Sequence, residues 1–199
     1  MGLSIHYSGT IKDAALIDEL IAEVADICQS INWTYHIIKE PNADQLNGIC
    51  FYPEKCEPVF LAFLPGGRMC SPVNLMNRDI YEEIGLDAEL VYITSNKTQF
   101  ADTDAHMAVI KLLRYLKEKY FSIFELSDEG MYWETMDEKI LLSQFAKYEF
   151  LLNAVADALS GMKAVQGETP LSLADCIEKI LKGKLGGMEL VVSKILPSI

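Results

Sequence analysis

Long hydrophobic runs, paired cysteines and an excess of basic residues are all missing from this 199-residue chain. No apolar segment approaches the ~18 residues of a bilayer-spanning helix. Val59 to Leu64, for example, is closed off by Pro58 and Pro65. Met1 to His6 has neither the basic start nor the apolar stretch of a signal peptide, and His6 stands where a myristoylation motif needs Ser or Thr. The five cysteines, Cys28, Cys50, Cys56, Cys70 and Cys176, are odd in number and contain no Cys-x-x-Cys pair. They read as reduced thiols rather than a disulfide framework. The expectation is a cytoplasmic protein with no membrane association, so the sequons Asn32-Trp33-Thr34 and Asn96-Lys97-Thr98 carry no weight. Seventeen Lys and Arg against 29 Asp and Glu leave a net charge of −12, a field that repels nucleic acid.

Catalytic signatures are scarce as well. No serine occupies a Gly-x-Ser-x-Gly elbow, and none of the three histidines belongs to a His-Glu-x-x-His motif. Gly183-Lys184-Leu185-Gly186-Gly187 has the look of a phosphate loop, but it follows a helical pattern instead of opening one.

What remains is a chain that is 50% hydrophobic, enough to bury a sizeable core. Leu3 to Tyr7 alternates, with Leu3, Ile5 and Tyr7 on one side and His6 on the other, as in a strand. Asp13 then suits a helix cap, and Leu16, Ile17, Leu20, Ile21, Val24, Ile27, Cys28 and Ile31 recur with helical spacing. Trp33 to Lys39 returns to period two, grouping Trp33, Tyr35 and Ile37 against Thr34, His36 and Ile38. Short strands are expected at Ile49–Tyr52, Val59–Leu64 and Arg68–Ser71, the last two joined by the turn Pro65-Gly66-Gly67-Arg68. Arg78 to Ile84 suits a short helix ending near Gly85.

Leu90–Thr94 reads as a strand, Asp102 or Asp104 as the cap of a helix through Val109, Leu112, Leu113, Leu116 and Tyr120, and Phe121–Leu126 as the returning strand. Laying Thr10–Glu40 over Gln99–Glu129 aligns Asp13 with Asp102, Val24 with Leu113 and Ile37 with Leu126. The pattern fits a duplication, although any two amphipathic strand–helix–strand units align this way. Met131–Thr135 suggests another strand, and Asp137 onward a long helix. Pro170 opens a further helix stopped by Gly183, and Met188–Ile199 is an apolar tail suited to docking on the body or on a second subunit.

The fold expected is α+β: a mixed, largely antiparallel sheet with helices on one face. It forms a single compact domain over 1–199, with candidate pseudo-repeats at 1–73 and 88–160 and a helical extension over 161–199.

Candidate site residues follow from strand phase. If the amphipathic helix covers the aromatic side of the early sheet, His6 and His36 share the reverse face. Cys50 and Tyr52 join them from the next strand, and Glu125 takes the position equivalent to His36. Such a group could bind a ligand, hold a divalent metal such as zinc, or run acid–base chemistry near neutral pH. No cofactor is evident otherwise. Asp102, Asp104 and His106 could chelate a cation, but capping a helix start accounts for such acids without one. The leading expectation is a non-catalytic domain that binds a small molecule or a protein, in a regulatory or inhibitor-like role. The alternatives are a metal-assisted hydrolase built on the His/Glu/Cys group and a structural subunit that forms homo-oligomers through its C-terminal region.

Overall fold

The computed structural model describes residues 3–39 and 45–161. The chain divides into two units, Met1–Phe145 and a second that begins at Ala146. The first unit holds every strand described below.

The alternation that begins at Leu3 runs further than the sequence suggests, through β1 (Ser4–Ile11). Leu3, Ile5, Tyr7 and Ile11 are buried, while His6, Ser8 and Thr10 take the other face. Asp13 then caps a single 3-10 turn, its Oδ1 accepting from Ala15 N–H at 2.9 Å, and α1 (Ile17–Ser30) follows. Ile17, Leu20, Ile21, Val24 and Cys28 form its buried stripe. Asn32, at φ 58°, turns the chain out of the helix, and Trp33 N–H donates back to Cys28 O at 2.9 Å.

Two antiparallel three-stranded sheets result, so the α+β class holds. One contains β2 (Thr34–Lys39), β3 (Asn47–Tyr52) and β4 (Val59–Phe63) in that order. The other places β1 between β5 (Thr94–Lys97) and β6 (Phe121–Asp128). β1 also ties the sheets together. The Tyr7 phenol donates to Phe60 O at 2.9 Å and accepts from Phe60 N–H at 3.2 Å, so it satisfies the edge of β4. Where β5 has ended, residues 67–69 replace it beside β1: Ile11 N–H donates to Gly67 O and Met69 N–H to Gly9 O. Gly67 needs its φ of 79° to make this turn.

The aromatic side of β2 does face the helix. Trp33 stacks on Phe51 at 5.6 Å, and Gln29 of α1 donates to the Tyr35 hydroxyl at 2.7 Å. Ile37 departs from this grouping at 53% exposure, because β2 is an edge strand. α4 (Thr103–Tyr120) buries Val109, Ile110, Leu113 and Leu116 in the same core as α1, Phe51 and Phe63. α1 and α4 are clasped at the surface, where Glu23 accepts from Lys119, Tyr115 and Tyr120.

Three expected strands take other forms. Arg68–Ser71 makes only isolated bridges, Thr10 to Arg68 and Phe63 to Met69, because it must serve both β1 and β4. Ala88–Tyr92 is a 3-10 turn whose start is capped by Asp87, which delays the strand to β5. Met131–Thr135 gives way to the short helix α5 (Tyr132–Thr135), with Met131 and Met136 at positive φ on either side. Between these lie α2 (Pro72–Met76), capped by Ser71, and α3 (Arg78–Glu83), stopped at Gly85 with φ 72°. The last helix, α6 (Glu138–Gly161), crosses from the first unit into the second.

The strand–helix–strand order recurs, but its geometry does not. β5 and β6 flank β1 in one sheet, whereas β1 and β2 belong to different sheets. The helix at Pro170 and the tail at Met188–Ile199 lie outside the described residues.

Candidate functional site

The outward face of β1 carries His6, Ser8 and Thr10, and strand register sets their neighbours. Ser95 and Ser127 flank His6, Glu125 stands opposite Ser8, and Arg68 and Ile123 flank Thr10. Ile93, just before β5, borders this face. The result is a groove of about 430 Å³ lined by Ser8, Thr10, Arg68, Tyr92, Ile123 and Glu125, continuing into a second hollow of about 340 Å³ at His6, Ile93 and Ser127. Ser8, Ile93 and Glu125 belong to both.

One wall is rigid. The Arg68 guanidinium lies over the Tyr92 ring, 3.3 Å from its centroid, and its Nη2 pairs with the Glu89 carboxylate. The His6 Nδ1 is 2.7 Å from the Ser95 hydroxyl. Glu125, an exposed residue that lines both hollows, has no hydrogen-bonding or ion-pair partner among the described residues. The lining thus combines one cation already neutralised, one spare carboxylate, a row of hydroxyls and apolar surface from Ile93, Ile123 and Tyr92. It can read donor groups and cover a flat or aliphatic part at once.

Of the five residues that strand phase singles out, the structure brings His6 and Glu125 into this groove and leaves the others elsewhere. His36, Cys50 and Tyr52 share a face of the β2–β3–β4 sheet, where His36 pairs with Cys50 in register and meets Tyr52 edge-on at 5.6 Å. The two histidines therefore occupy different sheets, because the crossover through α1 leads away from β1. The Cys50 thiol is buried at 3% exposure, and burial raises its pKa further than its hydrogen bond with Tyr52 lowers it. A protonated thiol is neither a nucleophile nor a thiolate ligand. Among the described residues no three His, Cys, Asp or Glu side chains converge as metal ligands.

Asp102 and His106 turn out to do separate jobs. Asp102 caps α4, its Oδ1 accepting from Ala105 N–H at 2.8 Å. His106, one turn on, is fully buried. Its Nδ1 shares a 2.7 Å hydrogen bond with Thr98 Oγ1, and its Nε2 lies 3.2 Å from Asp128 Oδ1. Asp128 also accepts from the N–H groups of Gly130, Tyr132 and Trp133. Burial pushes the Asp128 carboxyl up, but the hydrogen bond and charge of His106, with the backbone donors, outweigh it and hold the group below its ordinary value. Gly130 makes room for this: a Cβ there would stand 2.9 Å from His106 Nε2 and 2.7 Å from Leu141 Cδ1.

Hydroxyl, imidazole and carboxylate stand in the order of a hydrolytic triad. Thr98 and His106 have no exposed surface, however, and Phe145 packs edge-on against the imidazole at 5.8 Å. Buried in this way, the group ties α4 to the end of β6.

Sequence reasoning missed Arg68, Tyr92, Ser8 and Thr10. The polar alternation His6, Ser8, Thr10 was a readable signal for the last two. Arg68 and Tyr92 come from a turn and a 3-10 segment without periodicity. No helix among the described residues is long and apolar enough to cross a membrane. No protein-family model matches the chain, nor does any curated protein or solved structure.

Proposed function

We propose that this chain is a non-catalytic binding protein for a small polar molecule rich in donor groups, such as an amine or a polyhydroxylated compound, held in the groove over the outer face of β1. The observation that carries this reading is Glu125, a carboxylate without a protein partner among the described residues, set between hydroxyl-bearing strands and an apolar border. A donor-bearing ligand gains a charge-assisted hydrogen bond there without displacing an existing pair. An anionic ligand would instead have to compete with Glu89 for Arg68.

A panel of amino acids, polyamines, sugars and nucleosides, screened by ligand-observed NMR, tests this. At least one amine or polyol should bind, Glu125→Gln should weaken it tenfold or more, and His36→Ala on the other sheet should leave it unchanged. Absence of binding across the panel, or binding indifferent to Glu125, refutes the reading.

The 2.7 Å contact between His6 and Ser95 favours a second reading, a hydrolase in which His6 is the base for the Ser95 hydroxyl. A serine-directed phosphonate probe should then label Ser95 and fail to label the His6→Ala variant. An unlabelled wild-type protein removes this reading.

A further inference from the structure

Residues 72–86 carry a second feature, independent of the groove. α2 and α3 are separated only by a kink at Asn77, and their inner side is fully engaged. Leu75 packs on Leu46, Cys70 and Val91, while Asn74 donates to Leu90 O at 2.8 Å and to Ile93 O at 3.1 Å. The Tyr81 hydroxyl closes that side by donating to Asn74 Oδ1 at 3.3 Å.

The outer side is apolar nonetheless. Val73, Met76, Ile80 and Ile84 recur at the three- and four-residue spacing of a helix–helix seam, exposed by 52%, 87%, 54% and 63%, and Leu86 extends them at 46%. Such a stripe on helices already anchored through their other face adds nothing to the described fold. Around it stand the exposed acids Asp79, Glu82, Glu83 and Asp87, against the single base Arg78.

We propose that this stripe is the docking surface for an amphipathic helix of a partner protein whose flanks are basic. The spacing suits a helix laid along the seam, and Met76 supplies an adaptable contact. The acidic rim selects the partner's charge. A second copy of the chain would bring the same acids to the interface, and an anionic membrane surface would be repelled by them.

The probe is an 18-residue helical peptide of Leu and Lys with its leucines at seam spacing, titrated into the full chain. Backbone amide shifts should map to residues 73–86. The double variant Met76→Ser with Ile80→Ser should bind at least tenfold more weakly, and raising salt from 50 to 500 mM should weaken binding several-fold. A peptide with Glu in place of Lys should not bind. Because both substituted side chains are exposed, the variant keeps its fold, which an unchanged melting temperature verifies. Shifts mapping to another acidic face, affinity indifferent to the double variant, a dimer that the variant disperses, or attachment to anionic vesicles would each overturn the proposal.

Discussion

The two strand–helix–strand units begin alike and are held differently. In the first, α1 starts from Asp13 and a 3-10 turn, sends only apolar side chains into the core, keeps its polar ties at the surface, and sends its second strand into another sheet. In the second, α4 starts from Asp102 and carries His106 into the core, where Asp128 at the end of β6 receives it. An apolar stripe holds a helix against a sheet but does not choose which strand it returns to. A buried pair with defined partners does choose, since a displaced His106 would strip the buried Asp128 of its side-chain partner and leave it only its backbone donors. That contrast accounts for β5 and β6 flanking one strand while β1 and β2 part company.

Removing Asp128 breaks the second unit and should have the largest effect. Asp128→Ala strands His106 and three backbone donors, and should cost about 3–5 kcal/mol in denaturant unfolding. The same carboxyl has a pH signature. Its folded pKa is depressed from the model-compound value of 3.8, so its contribution is complete above that value and is lost as pH falls through the lower folded value. Asp128→Asn should abolish that part of the acid loss, and an identical acid profile in the variant would contradict the assignment.

Glu23→Gln tests what joins the two units instead of what shapes either. This carboxylate is also held below its usual value: burial acts upward, and hydrogen bonds from Lys119, Tyr115 and Tyr120 act downward and prevail. On a half-exposed surface its loss should cost about 1 kcal/mol and leave both helices intact by circular dichroism.

The smallest effects should come from the caps, where the comparison can be sharpened. Asp102→Ala, at the start of an 18-residue helix, should cost about 1 kcal/mol. Asp13→Ala opens only a 3-10 turn and should cost less. Equal costs measured in the same urea titration would mean that the two helix starts are equivalent after all.

The parts legible in the sequence were those governed by periodicity. β1, α1 and α4 show a repeat that burial later obeys, β2 keeps it at Tyr35 but loses it at Ile37, and the turn at Gly67 announced itself by composition. Leu90–Thr94 and Met131–Thr135 suggest strands because each is apolar and short, yet the 3-10 turn Ala88–Tyr92 takes up most of the first and a short helix most of the second. Their form is decided instead by single polar contacts, Asp87 to Glu89 N–H and Asp128 to Tyr132 and Trp133 N–H. The pairing of His106 with Asp128 joins a helix to a strand end and leaves no mark in either local pattern. Half of the candidate groove was visible as the polar side of β1. The other half depends on residues 67–69 taking over from β5, a substitution between strands that no one-dimensional pattern records.

β1 occupies the middle of its sheet, yet its hydrogen-bonding neighbours lie at 94–97 and 121–128. Both pairings close long stretches of chain, so the sheet around β1 is built from distant contacts and is complete only once residues up to 128 are in place.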